Sequence, residues 1–203
     1  DYYIKSLNTI IEKHGILDKT NFHATTSLKF KEDIFDFFTS IDSKKLICTE
    51  FGTSRGFSTV ILSYLFKEIY TINLKHDMLS KELLSDLDNV TLFQMDLYGN
   101  NNFLEITTLP KADVYFIDAG HSYTEVISDT SLALKHCNKG AYFIFDDFGA
   151  YDSVHQAINF FLDNSVLKVV KFIGMDAGWR YGEDTLTMER VLQRNEGIIC
   201  QVV

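Results

Sequence analysis

The sequence predicts an α/β protein in three layers: a mainly parallel sheet of about seven strands between two helical layers, ending in an antiparallel strand pair. Three observations lead there. Short apolar runs alternate five times with longer amphipathic stretches. Two further apolar runs, Val166 to Ile173 and Gly197 to Val203, close the chain with no crossover helix between them. The 203 residues are 46% hydrophobic, with 17 Phe and 10 Tyr, which is ample for one core and excludes an unfolded chain.

Taken in order, Tyr2 to His14 reads as a helix, followed by a linker through Thr25-Thr26-Ser27. Ile34, Phe35, Phe37, Phe38 and Ile41 recur at helical spacing and predict a helix packed on the sheet. Five apolar runs then read as strands: Leu46 to Phe51, Ile69 to Leu74, Val90 to Met95, Val114 to Ile117 and Ala141 to Phe145. The helical stretches that follow them are Phe57 to Lys67, Met78 to Leu87, Phe103 to Thr108, Tyr123 to His136 and Val154 to Leu162. A helix after every strand returns the chain to the same sheet edge, so these five strands run parallel with helices on both faces. The charged stretch Arg180 to Arg194 separates the last two strands, which therefore read as an antiparallel pair. There are no repeats and a single proline, Pro110, before the fourth strand. One domain over residues 1–203 is expected: an N-terminal helical segment (1–42), a core (43–165), and a terminal strand pair with a lid (166–203).

Charge narrows the partners. With 19 Lys+Arg against 28 Asp+Glu the net charge is -9, which opposes binding to a bare phosphate backbone. Cys48, Cys137 and Cys200 are odd in number and widely spaced, with no Cys-x-x-Cys pair, so reduced thiols and a cytoplasmic location are expected. No apolar run approaches the roughly 20 residues of a membrane span, and the first residues do not resemble a signal peptide. Neither nucleic acid nor a membrane is an expected partner; a homodimer is a further candidate.

Ligands of open α/β sheets bind at the carboxyl ends of the strands. The first such end, Thr49-Glu50-Phe51-Gly52-Thr53-Ser54-Arg55-Gly56-Phe57-Ser58-Thr59, sets an acid and two glycines where strand turns into helix. Gly52 allows a turn and a close approach, Gly56 lets the helix start against the strand, and Ser58 or Thr59 can bond at the first turn. A tight structural turn would use the same residues. The dinucleotide pattern Gly-x-Gly-x-x-Gly is absent, and Glu50 would repel a pyrophosphate while suiting a cation.

The acidic-x-Gly-x-x-x-Gly form resembles the first motif of class I S-adenosylmethionine-dependent methyltransferases, which have a Rossmann-like fold. The resemblance implies that Glu50, Gly52 and Gly56, joined by Ser58, surround the methionine part of the cofactor. The second strand ends in Asn73 where the family carries an acid for the ribose hydroxyls, and an amide accepts through only one oxygen. By position Asp96, after the third strand, meets the adenine amino group. Its other reading is the N-cap of the following helix.

Strand four ends in Ile117-Asp118-Ala119-Gly120-His121-Ser122-Tyr123 and strand five in Phe145-Asp146-Asp147-Phe148. Neighbouring parallel strands bring these acids to one crevice, where three oxygens suit a hard cation such as Mg²⁺. The alternative is that Asp118 caps a helix and Asp146-Asp147 makes a turn. This block resembles the small metal-assisted O-methyltransferases of the catechol and macrocin types, over about Leu46 to Leu162. The resemblance implies that Asp118, Asp146 and Asp147 hold the metal, with Asp118 also lining the cofactor and taking part in catalysis. His121 falls where catechol-type enzymes place a lysine base, and an imidazole suits that work at neutral pH. His155, on the helix after Asp146-Asp147, is a further residue that could face the site. Trp179 and Arg180, in a glycine-rich stretch, are substrate-contact guesses.

The expected chemistry is in-line transfer of the methyl of S-adenosylmethionine to a hydroxyl of a sugar, glycoside or phenol, with a divalent cation assisting. Two other readings stay open: metal-independent transfer with His121 as base, and a cofactor-binding protein without catalysis.

Overall fold

The structure is a computed structural model and describes residues 2–19, 25–176 and 195–203. Seven strands form one sheet in the order β3-β2-β1-β4-β5-β7-β6. They are β1 (Ile47–Phe51), β2 (Glu68–Asn73), β3 (Val90–Gln94), β4 (Ala112–Ile117), β5 (Cys137–Phe145), β6 (Leu167–Asp176) and β7 (Asn195–Val202). The first five are parallel. β7 pairs antiparallel with both β5 and β6. The mostly parallel sheet with an antiparallel end is the one the periodicity implies; the insertion of β7 between β5 and β6 is not, because long-range hydrogen bonds alone decide it.

The helices are α1 (Tyr2–His14), α2 (Leu28–Thr39), α3 (Phe57–Ser63), α4 (Met78–Leu84), α5 (Asn102–Ile106), α6 (Tyr123–His136) and α7 (Asp152–Asp163). Some are shorter than their apolar periodicity. α3 stops at Ser63, and Leu65 and Phe66 both turn back to the carbonyl of Leu62. β5 instead begins four residues earlier than its apolar run, at Cys137 opposite Ala112, across a register shift in β4. α6 begins as its sequence dictates: Ser122 and Glu125 form a reciprocal capping box, which satisfies two backbone N–H groups that the first turn would otherwise leave open.

Alternation along the strands divides the apolar residues between two cores. One buries Tyr115, Phe143, Phe145 and Cys200 against Leu132, Ala157 and Phe161 of α6 and α7. The other buries Cys48, Phe116, Ile144 and Ile199 against Phe30 and Phe38 of α2 and Val60 and Leu62 of α3. Removing a fully buried ring such as Phe38, which packs edge-on against Phe66, would cost about 3–5 kcal/mol. Together these layers hold the carboxyl ends of β1, β4 and β5 side by side. Among the described residues no helix is long and apolar enough to cross a membrane.

Candidate active site

β1 delivers Glu50 into a fully buried position. Its Oε2 accepts from Thr59 Oγ1 of α3 and from Thr71 Oγ1 of β2, each at 2.5 Å, while Oε1 has no hydrogen-bond partner among the described residues. Burial raises this carboxyl to about 7 although both hydroxyls oppose the rise. Thr53 closes the cluster, its Oγ1 lying 2.6 Å from Thr71 Oγ1. Glu50 is thus held by hydroxyls through one of its two oxygens.

Above it the loop bends at Gly52, with φ +97°, and its N–H donates to Ile72 O at 2.9 Å. A Cβ there would stand 2.1 Å from the carbonyl oxygen of Asp118, so glycine is what lets β1 and β4 end so close together. Gly56, at φ +84°, is the N-cap of α3 and serves without a side-chain bond. A cleft with about 260 Å³ of space, open to solvent, is lined by Thr25, Gly52 to Ser58 and Asp118. Ser58 lines this cleft, and so does Thr25 of the N-terminal linker. Thr26 and Ser27 are buried instead, Ser27 as the N-cap of α2.

Asn73 ends β2, and its Nδ2 donates to Lys75 O at 3.0 Å. Asp96 is exposed, and its Oδ1 accepts from the N–H of Tyr98 at 3.0 Å. It does not cap the following helix, whose N-cap is Asn101. The sequence view left out Tyr98, whose hydroxyl donates to buried Asp129 of α6 at 3.2 Å and so ties this loop to α6.

At the ends of β4 and β5, Asp118, His121 and Asp147 offer ligand atoms within 4.8 Å of one another. His121 Nε2 lies 3.0 Å from Asp147 Oδ2. The imidazole stacks on Tyr151, with ring centres 4.8 Å apart and 7° between planes, and its own carbonyl accepts from Ser153 Oγ at 2.5 Å. Asp118 does not cap α6; that place belongs to Ser122. Asp147 does make a turn, at φ 61°, its carbonyl accepting from Ala150 and Tyr151, yet its side chain still joins the group. Desolvation pushes the Asp118 carboxyl well above the ordinary range and neighbouring Asp146 pushes it further, against Lys19. Perturbed carboxyls gathered at the ligand edge are a mark of functional sites.

Asp146, the third acid expected to hold the metal, is not in that group, although it is near enough to raise Asp118. It is buried, Oδ1 has no hydrogen-bond partner among the described residues, and burial raises it to about 6, against the pull of Lys19. His155 packs on Phe148, with ring centres 4.5 Å apart. Trp179 and Arg180 lie outside the described residues.

Two lysines that no sequence motif signalled complete this end. Lys19 Nζ lies 2.6 Å from Glu196 Oε1, both buried, and Lys31 Nζ reaches Thr26 O at 2.5 Å and Thr26 Oγ1 at 2.8 Å. An isolated Lys and a Glu 177 positions later carry no common pattern.

Residues 49–148 match a family described as a methyltransferase domain. A stretch of 64 residues is 41% identical to an uncharacterised protein of Acanthamoeba polyphaga mimivirus, covering 31% of this chain and 29% of that one. The match therefore spans under a third of that relative's length. Among solved structures, a protein described as a candidate O-methyltransferase from Klebsiella pneumoniae superposes with a TM-score of 0.59 at 16% identity, over 100% of this chain and 90% of its own. The MycE methyltransferase of the mycinamycin biosynthetic pathway, solved with Mg and S-adenosylhomocysteine, superposes with a TM-score of 0.58 at 11% identity, over 97% and 53%. These likenesses show the fold. Residues 49–148, just under half of the chain, thus match a methyltransferase domain, on the fold that these structures share.

Proposed function

We propose that this protein is an O-methyltransferase that moves the methyl group of S-adenosylmethionine to a hydroxyl of a small sugar, glycoside or phenol, assisted by a divalent cation. The observation that carries the reading is the convergence of Asp118, His121 and Asp147 beside the Gly52 to Ser58 cleft. Two carboxylates suit Mg²⁺ or Mn²⁺ and the imidazole suits a transition metal, so the residues present fit a divalent cation. The bound cofactor supplies an electrophilic methyl on sulfonium, and the cation makes a nearby hydroxyl easier to deprotonate.

The rest of the work falls to the chain. Gly52, Gly56 and Ser58 shape the wall against the methionine part of the cofactor, with Glu50 beneath. Asn73 and Asp96, at the ends of β2 and β3, are the proposed ribose and adenine contacts. His121, held by Tyr151, Ser153 and Asp147, is a candidate ligand of the cation and, where no cation takes part, the proposed proton acceptor. In-line transfer needs little more than such positioning, because the methyl goes directly from sulfur to oxygen.

The Asp147–His121 pair also favours a second reading, in which His121 acts as base without a metal. Methyl transfer from labelled cofactor to a panel of sugars, glycosides and phenols, with and without EDTA, separates the two. Loss of turnover in EDTA, restored by Mg²⁺, supports the first; turnover that survives EDTA but falls about 10²- to 10⁴-fold in His121→Ala supports the second. Binding of S-adenosylhomocysteine with no turnover on any acceptor would sink both.

A further inference from the structure

Thr25 lines the cleft together with Gly52 to Ser58 and Asp118, although it comes from the chain before α2. Behind it stands Lys31, in the first turn of α2, which reaches back toward that chain as helical side chains do. Its Nζ donates to Thr26 O at 2.5 Å, to Thr26 Oγ1 at 2.8 Å and to Thr25 Oγ1 at 3.4 Å. The lysine is only 2% exposed. Thr25 and Lys31 are brought to this place because Ser27 caps α2 while its N–H donates to Glu196 Oε1 at 2.9 Å.

This ammonium is buried without an anionic partner. It has three protons to donate, and its three acceptors are all neutral. Among the described residues no carboxylate forms an ion pair with it. The Glu196 carboxylate is already met by Lys19 at 2.6 Å, by the N–H and hydroxyl of Ser27 and by the N–H of Met175. A buried charge is costly until a counter-charge reaches it, and a cation in the first turn also opposes the helix dipole. The Thr25 hydroxyl offers the route. Its oxygen accepts from Lys31, so its own hydrogen is left to donate, and among the described residues no acceptor takes it. A hydroxyl polarised by an ammonium is a strengthened donor, best matched by an anionic oxygen. Arg55, the other basic side chain on the cleft, faces Asp77 at 3.6 Å.

We propose that Thr25, backed by Lys31, is the subsite for the carboxylate at the amino-acid end of the cofactor. The Thr25 hydroxyl donates to a carboxylate oxygen, and the Lys31 ammonium behind it supplies the counter-charge. The inference rests on the S-adenosylmethionine reading above, in which the methionine part lies against Gly52, Gly56 and Ser58, and it adds the contact for the anionic group of that part. Thr25 touches the ligand; Lys31 is a positioning residue that acts through it.

The test is calorimetric titration with S-adenosylhomocysteine and with its decarboxylated analogue, which keeps the amine, the sulfur and the nucleoside. Thr25→Val should bind S-adenosylhomocysteine about tenfold more weakly and the analogue within about threefold of the parent, since bonds to charged groups are worth that much. Thr25→Ser, which keeps the hydroxyl, should stay within about threefold of the parent for both ligands. Lys31→Met should lose about tenfold or more for S-adenosylhomocysteine, again sparing the analogue. Structural damage would weaken both ligands alike, so a loss confined to the one with the carboxylate is specific to the proposal. If Thr25→Val leaves the preference for S-adenosylhomocysteine over the analogue unchanged, the carboxylate is held elsewhere and the proposal is overturned, whether or not Lys31→Met folds. If the parent binds neither ligand, the cofactor reading itself fails, and the subsite with it.

Discussion

The two halves of the crevice handle buried acid in opposite ways. Under the Gly52 to Ser58 loop a lone Glu50 is surrounded by neutral hydroxyls, Thr59 and Thr71, and burial leaves it easy to protonate near neutrality. At the ends of β4, β5 and β7 several acids are packed among lysines and a histidine. Hydroxyls stabilise a carboxylate weakly and let it wait for a charge that arrives with a ligand. Ammonium groups satisfy it beforehand. The first half can thus change its charge near neutrality, while in the second the Lys19–Glu196 pair is already neutralised.

The most damaging way to break this arrangement is Gly52→Ala. Its Cβ would meet the Asp118 carbonyl at 2.1 Å and its φ is +97°, so the two halves would have to separate. A loss of about 4 kcal/mol or more in denaturant unfolding is expected. Gly56→Ala is the sharper control, since its Cβ meets only the flexible end of Leu84 at 3.1 Å. It should lose about 1–2 kcal/mol, mainly from its left-handed backbone. Equal losses would show that the loop conformation matters and the approach of β1 to β4 does not.

Next comes the charge of Glu50. Its carboxyl is raised from an ordinary 4.5 to about 7 by burial, so the folded protein holds a proton there that the unfolded chain has released. Its stabilising share is whole below pH 4.5 and is lost as pH rises through 7. At about 1.4 kcal/mol per pH unit the loss is on the order of 3 kcal/mol. Glu50→Gln should therefore flatten part of the fall in stability between pH 4.5 and 7, and weaken S-adenosylhomocysteine binding at pH 8. Asp129, raised to about 7 by burial, contributes a slope of the same sign that the variant leaves in place. An unchanged pH profile would mean that Glu50 is ionised throughout.

What the sequence made legible follows from the range of the interactions. α6 was readable to the residue because Ser122, Glu125 and the apolar positions of Tyr123 to His136 lie within a few turns of each other. The five parallel strands were readable because each is apolar along its length and followed by an amphipathic helix. The acids at the ends of β1, β4 and β5 could be placed at one edge by topology alone. The insertion of β7, the Lys19–Glu196 pair and the Tyr98–Asp129 tie were not legible, because their partners are distant in the chain and use common residue types. Local rules also failed at Asp96, where a turn to Tyr98 replaces the helix cap that spacing allowed. That Asp147, and not Asp146, comes within 4.8 Å of Asp118 and His121 was equally hidden, since adjacent identical residues differ only in which neighbours the fold brings to them.

The smallest expected effect tests the cofactor half at its far end. Asn73 spends its Nδ2 on the Lys75 carbonyl, which leaves its single side-chain oxygen for the proposed ribose contact. Asn73→Asp gives up that one partly exposed hydrogen bond and gains a charged acceptor with two oxygens. Bonds to a charged acceptor are worth about twice those to a neutral one, so S-adenosylhomocysteine should bind about three- to fivefold more tightly by calorimetry. The gain should vanish with a ligand lacking the ribose hydroxyls, since only they can use the second oxygen. A gain that persists with such a ligand would be an electrostatic effect on the amino acid portion of the cofactor, and no gain at all would remove Asn73 from the binding wall.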